Sequence, residues 1–257
     1  MKARDVVDIL EKLCPKQYAL DWDNPGMHVG HWDNQVKKVL VAVDADDAVV
    51  DYAVNNDVDM IIAHHPLIFS GIKQINDDNF IARRVMKLIE NGINCYCMHT
   101  NFDVVGGMAT EAADRMELSD TVPLEETVPG EGIGRVGNLS EPATVGEICN
   151  RVKKKFGLPN VILYGDENAV VSRVGISPGS GKSMIRYAKD LEAQILITGD
   201  ISYHDGTDAV AKGVHIIDAG HYGIEHIFID IVEKYLNGNG MELEVIPMPI
   251  NNPQKFI

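Results

Sequence analysis

The sequence predicts a layered α/β protein of two lobes with largely parallel sheets. Apolar runs of strand length alternate with segments of helical periodicity almost from end to end. Most of these apolar runs are continuous, as in strands that are buried on both faces. A chain of 257 residues is also long enough for two modest domains, each with its own core.

The predicted elements follow one another along the chain. An amphipathic helix is predicted around Val6–Leu13. Strands are predicted over Lys38–Val43, Asp59–Ala63, Ile93–Met98, Val161–Tyr164, Arg173–Ser177, Gln194–Thr198, Val214–Asp218 and Leu243–Ile246. Further helices are predicted near residues 46–55, 79–91, 107–116, 144–156, 182–191, 204–212 and 222–236. Thr144 and Glu147 have the spacing of a capping box, which marks the start of one of them.

A break in this alternation predicts the boundary between the lobes. Residues 121–137 are rich in Pro, Gly and Glu, and we interpret them as the connection between a first lobe over residues 1–125 and a second over residues 126–257. A long functional loop within one lobe is the alternative. The C-terminal strand could also pair back into the first sheet.

Charge and composition exclude several classes of protein. The chain has 23 Lys and Arg against 38 Asp and Glu, a net charge of −15, which disfavours binding to nucleic acid and to anionic membranes. No apolar run approaches the roughly 20 residues of a transmembrane helix, and the N-terminus has no signal-peptide core. Four cysteines are too few for a disulfide framework at this length. We therefore expect a reduced, soluble, cytoplasmic protein whose partner is a small-molecule substrate.

Imidazole and carboxylate side chains follow three of the predicted strands. The residues concerned are His64 and His65, then His99 and Asp103, and finally His221 and Glu225. The last two are four residues apart on a predicted helix and share one face of it. Because the carboxyl ends of parallel strands form one edge of a sheet, where ligands bind, these side chains predict a site at that type of location.

Five of these residues predict a pair of metal ions. Neutral imidazole together with carboxylate suits zinc, iron, manganese or nickel, whereas calcium prefers oxygen ligands alone. The set is too large for a three-ligand catalytic zinc and large enough for two divalent ions that share a carboxylate. Its members are His64, His65, Asp103, His221 and Glu225. Any single histidine is more simply a surface residue, so the prediction depends on their shared position beyond strand ends. His99 and His204, which also follow strands, are candidates for proton transfer or for orienting the ligands.

A competing signal lies between the predicted strand and helix around Lys182. The segment Ser177–Ser183 ends in Gly-Lys-Ser like a phosphate-binding loop, but Ile176 stands where G-x-x-x-x-G-K-[ST] requires glycine. Loop length sets which backbone amides point at a phosphate, so the mismatch favours a tight turn of small residues. Anion binding at this turn is the alternative.

The motifs together resemble the GTP cyclohydrolase I type 2 homologue family, also called the NIF-three-like family. They are Trp22–Gly30, His64-His65-Pro66, His99–Asp103, Thr198–Ser202 with His204-Asp205, and Gly220-His221 with Glu225. The resemblance covers nearly the whole chain. The chain lacks the large inserted domain that some family members carry between the lobes. The chain departs from the usual pattern at Pro66, Phe102 and Tyr203. The resemblance implies two related lobes with a dinuclear metal site in the cleft between them, the same five ligands, and ring-shaped hexamers.

The leading hypothesis for function is a dinuclear metal-dependent hydrolase with a metal-bound hydroxide as nucleophile. On a GTP-like substrate the hydroxide would attack the purine imidazole carbon and release formate, and a phosphoester is the other candidate. The alternative is a non-enzymatic metal-binding or protein-interaction scaffold. An open coordination position favours the enzyme, whereas metals ligated entirely by protein favour the scaffold.

Overall fold

Helices and strands occupy most of the chain, and the computed structural model describes residues 1–240 and 242–255. The helices are α1 (Ala3–Leu13), α2 (Asp47–Asn55), α3 (Phe80–Glu90), α4 (Thr100–Val105), α5 (Met108–Arg115), α6 (Val145–Phe156), α7 (Met184–Asp190), α8 (Tyr203–Ala211), α9 (His221–Glu225) and α10 (Ile227–Gly238). The strands are β1 (Gly26–Val29), β2 (Lys38–Ala42), β3 (Met60–Ala63), β4 (Asn94–Cys97), β5 (Ser119–Val128), β6 (Glu131–Thr144), β7 (Ile162–Tyr164), β8 (Val170–Ser180), β9 (Ile195–Gly199), β10 (His215–Asp218) and β11 (Glu244–Pro247). Within the described residues, no helix is long and apolar enough to cross a bilayer.

The first of two compact units comprises Met1–Gly106 and Phe228–Asn251. Its five-stranded sheet has the order β1-β4-β3-β2-β11. All neighbours in it are parallel except β1, which is antiparallel to β4. The prediction of a largely parallel sheet is confirmed here, and the last strand pairs with β2 of this sheet.

The central strands of unit 1 are buried along their whole length, and the ends of these strands position the candidate ligands. Every residue of β3 and β4 is buried, as expected of strands covered on both faces. The register aligns Ala63 with Cys97, so His64 and His99 follow neighbouring strand ends. The core around these strands includes Leu40, Val50, Ile61, Val85 and Leu88.

The second unit comprises Gly107–Ile227 and the described part of Asn252–Ile257. Its six-stranded sheet has the order β5-β6-β8-β9-β10-β7. Only the β8–β9 and β9–β10 pairs are parallel, and the other neighbours are antiparallel. This sheet is mixed, and the prediction of a largely parallel sheet is wrong for it. Its core includes Leu124, Val136, Ile185, Leu196 and Ile216.

Residues 121–137, interpreted above as a connection between lobes, lie in an antiparallel hairpin instead. They belong to β5 and β6, which pair along most of their length. Gly130 has φ +79° beyond the end of β5, and a Cβ on Gly132 would lie 1.9 Å from the backbone oxygen of Glu125. The glycines therefore serve a turn and a close strand approach. Unit 2 begins at Gly107, whereas the sequence places the boundary after residue 125.

Most other predicted elements are confirmed, including the capping box of Thr144 and Glu147 at the start of α6. The predicted helix over residues 222–236 is divided at His226 into α9 and α10. Strand β1 lacks a sequence prediction because it is short and follows a turn rich in polar residues.

Candidate metal centre

Three histidines of unit 1 form a compact cluster beyond β3 and β4. His64, His65 and His99 each offer a ring nitrogen within 4.8 Å of those of the other two, so they could hold a metal ion. We call them the three-histidine group. Asp103, on α4 one helical turn after His99, places Oδ1 3.7 Å from His64 Nε2. The structure therefore brings these four sequence-predicted residues together within unit 1.

The rings of the three-histidine group are oriented through their Nδ1 atoms. Each Nδ1 faces an oxygen: Met98 O at 2.8 Å for His64, Asp44 Oδ1 at 2.7 Å for His65, and Asp23 Oδ1 at 2.8 Å for His99. Carbonyl and ionised carboxylate oxygens only accept, so Nδ1 carries the proton and donates. The lone pair of each neutral ring then lies on Nε2, the arrangement typical of metal-ligating histidines.

Asp23 holds His99 in place with an ionised carboxylate that is inaccessible to solvent. It also accepts hydrogen bonds from the Thr100 backbone N at 2.9 Å and from Thr100 Oγ1 at 2.5 Å. Burial by itself would raise the pKa of Asp23. The hydrogen bonds from His99 and Thr100 outweigh burial and hold this pKa below its ordinary value. Asp23 is therefore a fixed negative charge behind the His99 ring.

Unit 2 carries the other predicted pair on helix α9. His221 is the first residue of α9, and Glu225 is on the same face four residues later. His221 Nε2 lies 3.0 Å from Glu225 Oε2, and its Nδ1 lies 2.7 Å from Asp200 Oδ2. Glu225 is buried. Asp200 directly follows β9 with φ 57°, a left-handed conformation that Asp tolerates better than most residues.

Two carboxylates facing one imidazole require a second proton or a metal ion. A neutral ring has one N–H, which the contact with Asp200 takes, so the second contact would set the Nε2 lone pair against the carboxylate of Glu225. A proton on both nitrogens or a divalent ion at Nε2 removes this repulsion. The donor set of imidazole and carboxylate fits a divalent transition metal.

Gly179 lies near the end of β8, just before the turn that resembles a phosphate loop, and makes room for Glu225. A Cβ on Gly179 would lie 2.4 Å from Glu225 Oε1, and the residue has φ +80°. Lys182 in the same turn is exposed and pairs with Asp205 Oδ1 at 3.1 Å. Packing against Glu225 therefore explains a small residue in the segment Ser177–Ser183. This agrees with the interpretation of the segment as a tight connection of small residues.

The remaining site predictions have different outcomes. His99 belongs to the three-histidine group, whereas His204 is exposed on the first turn of α8 with its ring 5.3 Å from that of Tyr203. Sequence reasoning missed the roles of Asp44 and Asp200, which orient His65 and His221. Both follow strand ends, so the signal that found the histidines would have found them.

The fold and the side chains define a class: a protein of two α/β units, each with imidazole and carboxylate groups grouped beyond strand ends. The family model for DUF34/NIF3 (NGG1p interacting factor 3) matches residues 1–253, and the chain belongs to this family. The resemblance found in the motifs is thereby confirmed.

Similar proteins cover the chain almost completely. The GTP cyclohydrolase 1 type 2 homolog of Clostridium perfringens is 33% identical over 262 residues, with 100% of each chain covered. The homolog of Lactococcus lactis is 36% identical over 249 residues, with 95% of each covered. A Bacillus cereus protein related to NIF3 superimposes with a TM-score of 0.93 at 22% identity, covering 100% of this chain and 99% of that chain, which shows the shared fold.

Proposed function

We propose that the protein is a metal-dependent hydrolase that binds two divalent ions through His64, His65, Asp103, His221 and Glu225. The observation that supports this most is shared by its three histidine ligands. Each has Nδ1 against a carbonyl or carboxylate oxygen, which leaves the Nε2 lone pair for a metal. Zinc, iron, manganese and nickel all suit these donors.

Two such ions would lower the pKa of a bound water toward neutrality and so supply the nucleophile. His99 provides the proton acceptor among the chain's own residues. Because Asp23 accepts the Nδ1 proton of His99, the ring presents its Nε2 lone pair and takes up a proton there. The same carboxylate stabilises the imidazolium that results, as in other carboxylate-oriented histidine bases.

The thiols of the chain support water rather than a side chain as nucleophile. All four cysteines are buried and free. A hydrogen bond with Cys97 and burial raise the pKa of Cys95, and burial raises those of Cys14 and Cys149. Thiolates, the reactive form, are therefore disfavoured. Buried free thiols also support the predicted cytoplasmic location.

Metal analysis of purified protein tests the ligand assignment. We expect about two divalent ions per chain at saturation, with loss of metal in His64→Ala and Glu225→Ala. His31→Ala, which removes an exposed histidine, is the matched control and should keep both ions. A stoichiometry of one under excess metal would contradict the dinuclear proposal, and light scattering on the same samples tests the hexamer implied by the family.

A substrate screen tests the reaction. The relatives named GTP cyclohydrolase 1 type 2 homolog support a nucleotide as one substrate class, and phosphoesters are the other. Formate released in step with GTP consumption supports ring opening, whereas phosphate release alone supports a phosphohydrolase. A chelator should abolish turnover and a divalent transition metal should restore it. Turnover that survives with the metals confirmed absent would contradict the mechanism.

A further inference from the structure

We propose that Trp22 and Phe69 form a binding surface for a planar heteroaromatic ring, such as a nucleobase. We call these two residues the aromatic pair. That this ring belongs to the substrate rests on the hydrolase proposed above, but the binding itself does not.

The aromatic pair exposes large apolar rings side by side. Trp22 is 60% and Phe69 58% exposed, and the ring centroids are 6.0 Å apart in an edge-to-face arrangement. Single exposed apolar residues are ordinary, but two contacting aromatics left accessible are a feature of binding sites, where large rings supply most of the contact area.

The aromatic pair contacts the three-histidine group through His99. The His99 ring centroid lies 5.8 Å from that of Trp22 and 6.4 Å from that of Phe69. A ring stacked on the aromatic pair would therefore lie beside the imidazole that the proposed mechanism uses. This continuity favours a small ligand that reaches the histidines over a macromolecular partner.

Hydrogen bonds fix the two segments that carry the aromatic pair. Asn24 Nδ2 donates to Ile68 O at 2.7 Å, and the backbone N of Ile68 donates to His28 Nδ1 at 3.1 Å. His28 Nε2 then donates to Asn24 O at 2.9 Å and closes the loop of contacts. Phe69 directly follows Ile68 and Trp22 lies two residues before Asn24, so binding has little backbone ordering to offset.

The chemistry of the surface favours a heteroaromatic ring over an anionic group. Stacking on Trp and Phe requires a planar π face and tolerates different bases. The net charge of −15 gives a free phosphate or carboxylate no general attraction to the protein. The ring itself, not its charged substituents, is therefore the part that the aromatic pair recognises.

Comparison of guanosine monophosphate with ribose 5-phosphate isolates the ring. We expect the nucleotide to bind more tightly by calorimetry, in metal-loaded and in chelated protein alike. Phe69→Leu should reduce this preference at least about fivefold, the lower end of the range for a stacked base. Phe80→Leu, which alters another exposed aromatic, is the control and should leave it unchanged. The chain has two tryptophans, so in Trp32→Phe the nucleotide should quench the remaining Trp22 fluorescence.

An unchanged preference in Phe69→Leu, or no preference in the unaltered protein, would overturn the proposal. So would a change of oligomeric state in Phe69→Leu with the preference retained, since the aromatic pair would then be a contact between copies. If the unaltered protein prefers the nucleotide but shows no turnover or binds no metal, only the proposed hydrolase is contradicted.

Discussion

His221 Nε2 and Glu225 Oε2 lie 3.0 Å apart on one face of α9. The other nitrogen of the ring already donates to Asp200, so this contact needs a proton shared between the Nε2 lone pair and the carboxylate, or a metal ion at Nε2. Proton and metal therefore compete for the same lone pair. The pair of His221 and Glu225 therefore links metal binding to pH through this one atom.

The first prediction is that metal binding releases protons. Because an ion at His221 Nε2 displaces any proton there, affinity for a divalent ion should fall as pH is lowered from about 7.5 to about 6. Calorimetric titrations in two buffers of different ionisation enthalpy measure the number of protons released. Binding with no proton release and no dependence on pH would show that His221 is not a ligand.

The second prediction concerns the residue that orients His221. Asp200→Ala removes the acceptor of the Nδ1 proton and should weaken metal binding about 10- to 100-fold. Asp200→Asn keeps an acceptor oxygen and the tolerance of positive φ, so its loss should be smaller. Asp57→Ala, at another aspartate of positive φ (51°), controls for backbone strain of roughly 1–2 kcal/mol. Equal affinities in both Asp200 variants would contradict this role.

The third prediction separates two glycines with similar backbone. Gly179→Ala forces a Cβ to within 2.4 Å of Glu225 Oε1, whereas a Cβ on Gly157, with φ +66°, meets nothing within 4 Å. Both variants should lose roughly 1–2 kcal/mol of unfolding free energy from left-handed strain. Only Gly179→Ala should also displace Glu225 and reduce metal content. Retention of all metal in Gly179→Ala would argue against Glu225 as a ligand.

Strand-end reasoning located the candidate site because parallel strands impose a common edge. His64 and His99 are neighbours in space because β3 and β4 are paired in register, and continuous apolar runs of strand length predict such strands. The Nδ1 partner of His99 gives no such signal. Asp23 lies in a turn and reaches His99 across 76 positions of sequence, a contact that only the folded chain creates.

The antiparallel part of unit 2 escaped prediction for a related reason. In β5, Leu124 is the one buried residue among exposed and half-buried ones, and Pro and Gly interrupt the hairpin. Local composition therefore favours a loop, and pairing with β6 overrides it.

The fourth prediction is that Lys182 is dispensable. Its side chain is 71% exposed and forms an ion pair with Asp205, and the glycine spacing of its turn misses the phosphate loop. Lys182→Ala should leave metal content and turnover within about twofold, since exposed ion pairs contribute little. Lys154→Ala, in an exposed position on α6, is the charge-matched control. Loss of nucleotide binding in Lys182→Ala alone, with metals retained, would restore the phosphate-loop interpretation.

The last prediction follows from His28, which joins the segments of Trp22 and Phe69. Burial lowers the pKa of His28 and outweighs the hydrogen bond to Asn24 O and the charge of Asp23, which raise it. In the unfolded chain the pKa is about 6.5. At higher pH both states are neutral and the fold keeps the full contribution of His28. As pH falls below 6.5, the unfolded chain takes up the proton before the folded chain does. The contribution of His28 to stability is therefore lost between pH 6.5 and the lower pKa of the folded state.

Unfolding by denaturant at about pH 7.5 and at about pH 5.5 measures that loss. Other groups titrate in this range as well, so the informative quantity is the difference between variants. His28→Gln cannot take up the proton and should lose less unfolding free energy between the two pH values than the unaltered protein. His31→Gln, at an exposed histidine, should behave like the unaltered protein. Equal pH dependence in His28→Gln and the unaltered protein would contradict the neutral state of His28, which donates from Nε2 and accepts at Nδ1.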